Sequence, residues 1–177
     1  MQDLEILNNS FLIIGGPNTK KSEVARELSK RLEYKLINLD REKHSYFDDF
    51  TDYDFKIYQN RLEKYGKGKA INYIHKYEMQ HLKYVLENIK ENVVIDFGNT
   101  YTLIDDKNLL NKIKLFKNIV LLDVDNNIKN SSNEYNNKLY KNKINKDLAT
   151  LTINITNKTK DNIVNEILNC KEFKDIL

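Results

Sequence analysis

Apolar residues follow two different periods along this chain. Short runs rich in apolar residues occur at Phe11 to Ile14, Tyr34 to Leu39, Asn92 to Ile95, Asn118 to Leu122 and Ala149 to Ile155. Short runs of this kind read as strands buried on both faces. Between and after them apolar positions recur every three to four residues, as in Val24, Ala25, Leu28 and Leu32. That helical period covers Ser22 to Glu33, Lys69 to Lys90, about Asp105 to Lys114, and Asp161 to Phe173. Strands alternating with helices predict an α/β fold, a three-layer sandwich around a five-stranded, mostly parallel sheet. Ligands on such sheets bind beyond the carboxyl ends of the strands. Gly15, Asp40, Asp96 and Asp123 all fall at predicted strand ends, which brings them to one edge.

Two stretches carry weaker patterns. Residues 41 to 68, rich in Tyr, Asp, Phe and Lys, are expected to form short helices of a substrate lobe. Residues 125 to 146 are dominated by Asn and Lys, with only Ile128, Tyr135, Leu139 and Ile144 keeping a loose helical period. That segment reads either as a lid-like flap or as a solvated helix, and its composition favours the helix. No repeat or linker divides the chain, so residues 1 to 177 are expected to form a single domain.

The most informative segment joins the first strand to the first helix: Gly15-Gly16-Pro17-Asn18-Thr19-Lys20-Lys21-Ser22. A loop of this type, placed between a strand and a helix, cradles phosphate groups with backbone N–H groups and the helix N-terminus. Its lysine reaches the β- and γ-phosphates, and the hydroxyl after it ligates Mg²⁺. Gly15, Gly16, Asn18, Thr19, Lys20, Lys21 and Ser22 are the candidate nucleotide-binding residues. One letter departs from G-x-x-x-x-G-K-[ST], because Lys20 stands where the second glycine belongs. If its backbone is left-handed there, the strain costs roughly 1 kcal/mol or more. Asn18 tolerates positive φ better than most residues. The alternative reading is an ordinary strand–turn–helix connection with a chance Lys-Ser.

Further candidates lie downstream. Val93-Val94-Ile95-Asp96 is an apolar strand ending in an acid, the form of a Mg²⁺-supporting carboxylate in phosphate-loop proteins. Asp123 ends a similar strand and reads more simply as a turn residue. Asp40 reads either as a carboxylate that orients an acceptor hydroxyl or as a helix N-cap. Glu78 falls on the apolar stripe Ile71, Ile74, Leu82, Val85, Ile89, so it either faces a site or marks a fraying of that stripe. His75, one turn earlier, is its nearest candidate partner. His44 and His81 read as solvated, and no His/Cys spacing suggests zinc.

Composition narrows the setting. The net charge of +3 over a chain with 31% charged residues predicts neither a nucleic-acid nor a membrane partner. A single cysteine, Cys170, excludes an intrachain disulfide framework and fits a reducing cytosol. No segment has the length of a membrane span or the form of a leader. A cytoplasmic protein is expected.

Taken together, these segments resemble the shikimate kinase family of the nucleoside-monophosphate-kinase-like P-loop kinases. The resemblance runs through Leu12-Ile13-Ile14-Gly15…Lys21-Ser22 with Val24 to Leu28, Tyr34…Asn38-Leu39-Asp40, Glu78, Val120 to Val124, and the closing Leu148 to Asn154 with its helix. It implies transfer of the γ-phosphate of ATP to a small-molecule hydroxyl. Lys21 and Ser22 would bind ATP and Mg²⁺, with Asp96 supporting the metal. Asp40 would meet the acceptor, and His75, Glu78 and Gly98 would lie around it. Departures from the family pattern are specific. His75 replaces a carboxylate-gripping arginine, Asn38 replaces an acid, and Phe97-Gly98-Asn99 replaces a triple-glycine turn. No arginine follows Arg61, so the lid-like segment carries only lysines. Lysine cannot reproduce a bidentate guanidinium grip. A nucleotide-binding protein of the same fold with little or no kinase activity is the alternative.

Overall fold

The computed structural model describes residues 4–125, 139 and 141–170. Strands β1 (Phe11–Gly15), β2 (Lys35–Asn38), β3 (Val93–Asp96), β4 (Asn118–Asp123) and β5 (Leu151–Asn154) form one parallel sheet in the order β2-β3-β1-β4-β5. Among the described residues the helices are α1 (Leu4–Asn9), α2 (Lys21–Leu32), α3 (Leu39–Phe50), α4 (Phe55–Tyr65), α5 (Lys67–Glu87), α6 (Lys107–Ile113), α7 (Lys143–Leu148) and α8 (Lys160–Leu168). The α/β sandwich expected from the periodicity is therefore the observed architecture. None of these helices is long and apolar enough to cross a membrane.

The layers follow from strand periodicity. Successive side chains of β1 point to opposite faces of the sheet. Phe11 and Ile13 pack with Val24, Ala25 and Leu28 of α2 and Ile163, Val164 and Ile167 of α8. Leu12 and Ile14 pack on the other face with Leu82, Val85 and Leu86 of α5, Leu109 and Ile113 of α6, and Leu148 of α7. All five residues of β1 are buried, because it lies in the middle of the sheet with helices on both sides. Each such side chain contributes about 1.5–3 kcal/mol on burial. A third cluster, Phe47, Ile74 and Tyr77, ties α3 to α5 beneath a group of tyrosines.

Several boundaries differ from the sequence expectation. β2 ends at Asn38, two residues before Asp40, so Asp40 lies in the first turn of α3 and not at a strand end. The reason is local. Asn38 is itself the N-cap, its Oδ1 accepting from the Arg41 backbone N–H at 2.8 Å, so the helix starts directly after it. Residues 41 to 68 form most of α3, all of α4 and the start of α5, which begins at Lys67, before the expected Lys69. The short α1 carries no clear periodic signal, yet it buries Leu7. Of the segment 125 to 146, residues 126–138 and 140 lie outside the described residues, and with them Ile128 and Tyr135. Leu139 is buried and residues 143–148 are helical. The last helix ends at Leu168, and Phe173 also lies outside the described residues.

The carboxyl end of β1 is set by close backbone approach. Gly15 is in register with Leu122 of β4 and has φ +156. A Cβ there would stand 2.6 Å from the Leu122 carbonyl oxygen and 2.9 Å from Thr19 Oγ1. A backbone oxygen in the middle of a parallel sheet has little room to move. Gly15→Ala is therefore expected to destabilise the protein by ~2–3 kcal/mol, through overpacking and a disfavoured φ. This corresponds to a drop of ~5–10 °C in Tm by circular dichroism, and an unchanged Tm would count against this account of the strand end.

Candidate functional site

At the carboxyl edge of the sheet the chain leaves β1 toward β2 and later returns on its other side as β4. Open α/β sheets bind ligands at such a switch point. The loop from Gly15 to Lys20 occupies it. Two of its residues hold the left-handed conformation, Asn18 at φ 57 and Lys20 at φ 59. Thr19, buried between them, donates its hydroxyl to the Gly16 carbonyl at 2.8 Å and so closes the turn. Lys20 is the N-cap of α2 and offers no side-chain cap. The first-turn N–H groups of this 12-residue helix therefore have no side-chain cap. The Lys20 ammonium reaches across to the Lys158 carbonyl at 2.8 Å, tethering the loop to the β5–α8 connection.

Lys21 turns its side chain inward. Its Nζ donates to the Gly16 carbonyl and to Asn99 Oδ1, both at 2.7 Å. Burial lowers the ammonium from its ordinary 10.5 to about 8, against the pull of Asp96 and Asp40. Asp96, the last residue of β3, is also buried, and burial pushes its carboxyl above the ordinary value despite the Ser22 hydroxyl and the Lys21 ammonium beside it. Asn38 Nδ2 donates to Asp96 Oδ2 at 2.5 Å. One amide thus caps α3 with its oxygen and neighbours Asp96 with its nitrogen. An acid at position 38 would set two carboxylates side by side.

These groups line a cavity of about 430 Å³ bounded by Asn18 to Glu23, Asp40, Asp96 and Asn99. Beside it lies a second cavity of about 350 Å³, reached by Asp40, Lys43, Tyr58, Ile71, Ile74, Glu78, Thr100 and Leu139 among others. Asn18, Asp40 and Asn99 line both. In the second cavity Lys43 Nζ lies 3.0 Å from Asp40 Oδ1 and 2.9 Å from Glu78 Oε1. Glu78 is 1% exposed. Burial alone would raise its carboxyl, but His75 and Lys43 outweigh it and hold the group below its ordinary value. Burial likewise works against the Lys43 ammonium, and Glu78 and Asp40 hold it above its ordinary value. Glu78 thus faces a site on an otherwise apolar stripe.

Of the candidates read from the sequence, the structure brings Asn18, Thr19, Lys20, Lys21, Ser22, Asp40 and Asp96 to one cavity and Asp40 and Glu78 to the next. Gly98 lies against Asp40, where a Cβ would stand 2.4 Å from Oδ2. His75 lines neither cavity. Its Nδ1 is 3.9 Å from Glu78 Oε2, and Glu78 raises its imidazole above the ordinary value. Asp123 lies at the end of β4, away from both cavities, where its carboxylate accepts from the Val124 N–H. His81 is buried, not solvated. Its Nδ1 is 2.8 Å from the Tyr101 hydroxyl, which donates to the Leu39 carbonyl at 3.3 Å, one residue before Asp40. Burial lowers this imidazole to about 4, so it is neutral near pH 7. Sequence reasoning missed Lys43 and Asn99. Spacing three residues after Asp40 on a helix could have flagged Lys43, whereas the Asn99–Lys21 contact spans 78 positions and leaves no local trace.

With this geometry in hand, the likeness to solved proteins is informative. The chain is similar to shikimate kinase from Aquifex aeolicus at a TM-score of 0.63 and 23% identity, covering 94% of this chain and 98% of that one. It is also similar to shikimate kinase from Acinetobacter baumannii, solved with shikimate, at 0.61 and 15%, covering 94% and 95%. The chain has the fold of the shikimate kinases. A further match is the YorR protein of Bacillus subtilis, solved with phosphorylated GDP, at 0.51 and 18%, covering 93% and 96%. No protein-family model matches the sequence, and no curated protein does. The phosphate loop of this kinase fold is here built around Lys20 in place of a glycine.

Lys21 yields a prediction with a definite sign. Its folded value lies below the unfolded one, so the full desolvation penalty is present below pH 8 and is relieved as pH rises from about 8 to 10.5. Lys21→Met removes the penalty at the cost of two hydrogen bonds. At pH 7 the variant is expected to be more stable than wild type by ~1–3 kcal/mol, or ~2–8 °C in Tm. The gain should shrink as melting is repeated between pH 8 and 10.5. A loss of stability at pH 7 would contradict the burial argument.

Proposed function

We propose that this protein transfers the γ-phosphate of ATP, with Mg²⁺, to a hydroxyl of a small molecule. The observation that carries the reading is the pair of adjoining cavities that share Asp40, one walled by the phosphate loop and the other by α3 and α5. The residues fit the nucleotide and its metal. Open N–H groups at the start of α2 and the Lys21 ammonium suit a polyphosphate. Among the described residues no cluster of three His, Cys, Asp or Glu could hold a metal alone. Mg²⁺ commonly takes one or two carboxylates together with substrate phosphates and water, and the Ser22 hydroxyl and Asp96 supply oxygen donors of that kind. When bound, the metal offsets charge on the transferring phosphate.

The chain's own residues would then work mainly by position. Asp40 accepts the proton of the acceptor hydroxyl as its oxygen bonds to the γ-phosphorus and the bond to ADP breaks. Gly98 leaves room for that carboxylate, and Lys43 fixes its orientation. Lys21 leaves the Gly16 carbonyl for the phosphates. A second reading, nucleotide binding with little turnover, is favoured by one observation: among the described residues no arginine lines either cavity. A transition-state arginine is worth ~10³-fold or more in related phosphotransfer.

Two measurements test the assignment. Lys21→Ala should weaken Mg-ATP binding by calorimetry at least about tenfold, since it removes the buried charge of the phosphate site. Equal affinity for wild type and variant would rule the loop out. Gly98→Ala should leave nucleotide affinity within about twofold but lower turnover by ~10–100-fold, because the new methyl displaces Asp40. Binding of Mg-ATP without turnover over a panel of hydroxylated metabolites would favour the second reading.

A further inference from the structure

The second cavity holds more information than its position. Its acidic and basic side chains are Asp40, Glu78, Lys43 and Lys67, two carboxylates against two ammoniums. They are not equally placed. Glu78 is buried and Lys43 partly so, while Lys67 is exposed at the start of α5. Lys43 already faces both carboxylates within 3.0 Å. Its charge is matched before any ligand arrives. A carboxylate entering here would meet Asp40 and Glu78 with their neighbouring cations, Lys43 and His75, already taken up by them. Like charges brought together in such a site are costly.

The same walls suit a hydrogen-bond donor. Glu78 Oε2 is buried and has no hydrogen-bond partner in the structure. His75 Nδ1 faces it at 3.9 Å, beyond hydrogen-bond distance. Buried carboxylate oxygens are stabilised by donors, and ligand hydroxyls supply them. The Asp40 carboxylate is about half exposed and accepts one bond from Lys43, leaving further lone pairs. Tyr58, Ile71, Ile74 and Leu139 supply the apolar lining of the cavity.

Resting on the phosphotransfer reading, we propose that the acceptor is an uncharged molecule bearing several hydroxyls and one apolar face, and that the Asp40–Lys43–Glu78 cluster excludes carboxylates. Glu78 acts here as a specificity-determining residue through charge, and Lys43 positions both acids.

The test uses the full chain with saturating Mg-ATP and a panel matched for shape. Shikimate and its methyl ester share one ring and its hydroxyls and differ in charge. Inositols and neutral sugars extend the uncharged set, quinate and sugar acids the anionic set, and amino sugars the cationic one. ADP release is the readout. The expected result is turnover with at least one uncharged compound, with kcat/KM at least about tenfold above every carboxylate. Preference for a carboxylate or an amine, or no turnover with any uncharged compound, overturns the proposal. Calorimetric Mg-ATP binding in the same samples reports on the phosphate loop separately, so that reading can stand or fall alone.

A second arm reads the cluster itself. Glu78→Gln keeps the shape and removes one negative charge, and should shift the ratio of carboxylate to uncharged-compound affinity toward carboxylates by about tenfold. The ratio is measured by calorimetry on the ADP-bound protein with the best uncharged compound and its closest carboxylate. Asp40→Asn, at a half-exposed position, gives the same reading should the buried substitution impair folding. A ratio unchanged in the variant that folds overturns the proposed role.

Discussion

The Lys43 ammonium, shared between Asp40 on its own helix and Glu78 on α5, is the contact on which the second cavity depends. Together with His75 it keeps Glu78 ionised on an apolar stripe, where an uncompensated buried carboxylate neutralises or costs several kcal/mol. Removing one partner of such a cluster is more damaging than the cluster is stabilising, because the survivors stay buried. The group therefore does little for net stability and much for geometry. It fixes α3 against α5 at the point where both pass the carboxyl edge of the sheet. The His81–Tyr101 pair adds a second support from below, holding the Leu39 carbonyl next to Asp40.

The phosphate-loop side follows a different principle. There the structure accepts unfavourable local states, with Lys20 and Asn18 left-handed and Lys21 buried while charged. Each costs of the order of 1–3 kcal/mol. They are held by the sheet around them. β1 is buried along its whole length, and Gly15 is wedged against the Leu122 carbonyl. A lysine where a glycine is usual also gains something glycine could not, a bond from its ammonium to the Lys158 carbonyl across the mouth of the site. Strain of this kind concentrates at functional sites because a rigid scaffold can impose it.

Much of this was legible in the order of residues. Five short apolar-rich runs alternating with helical periods leave few arrangements besides a parallel α/β sandwich. The loop chemistry was legible for the same local reason. A strand, a glycine turn and Lys-Ser at a helix start are adjacent in sequence and adjacent in space. Asp96 was readable because it directly ends a strand. Asp40 was placed two residues off, since Asn38 ends β2 by capping α3 with its own side chain, a choice that the apolar pattern does not record.

What the sequence could not show are contacts between distant segments. Lys43 with Glu78 joins positions 35 apart, and Lys21 with Asn99 joins positions 78 apart. His81 sits among polar neighbours in the chain and looks solvated, yet the packing of α5 against α3 and the loop after β3 buries it beside Tyr101. The sequence by itself determined the fold class and the phosphate loop, because periodicity and local turn chemistry act over a few residues. Which charges face one another was decided only by tertiary structure, because electrostatic pairing depends on distances that the sheet order sets and the chain order does not.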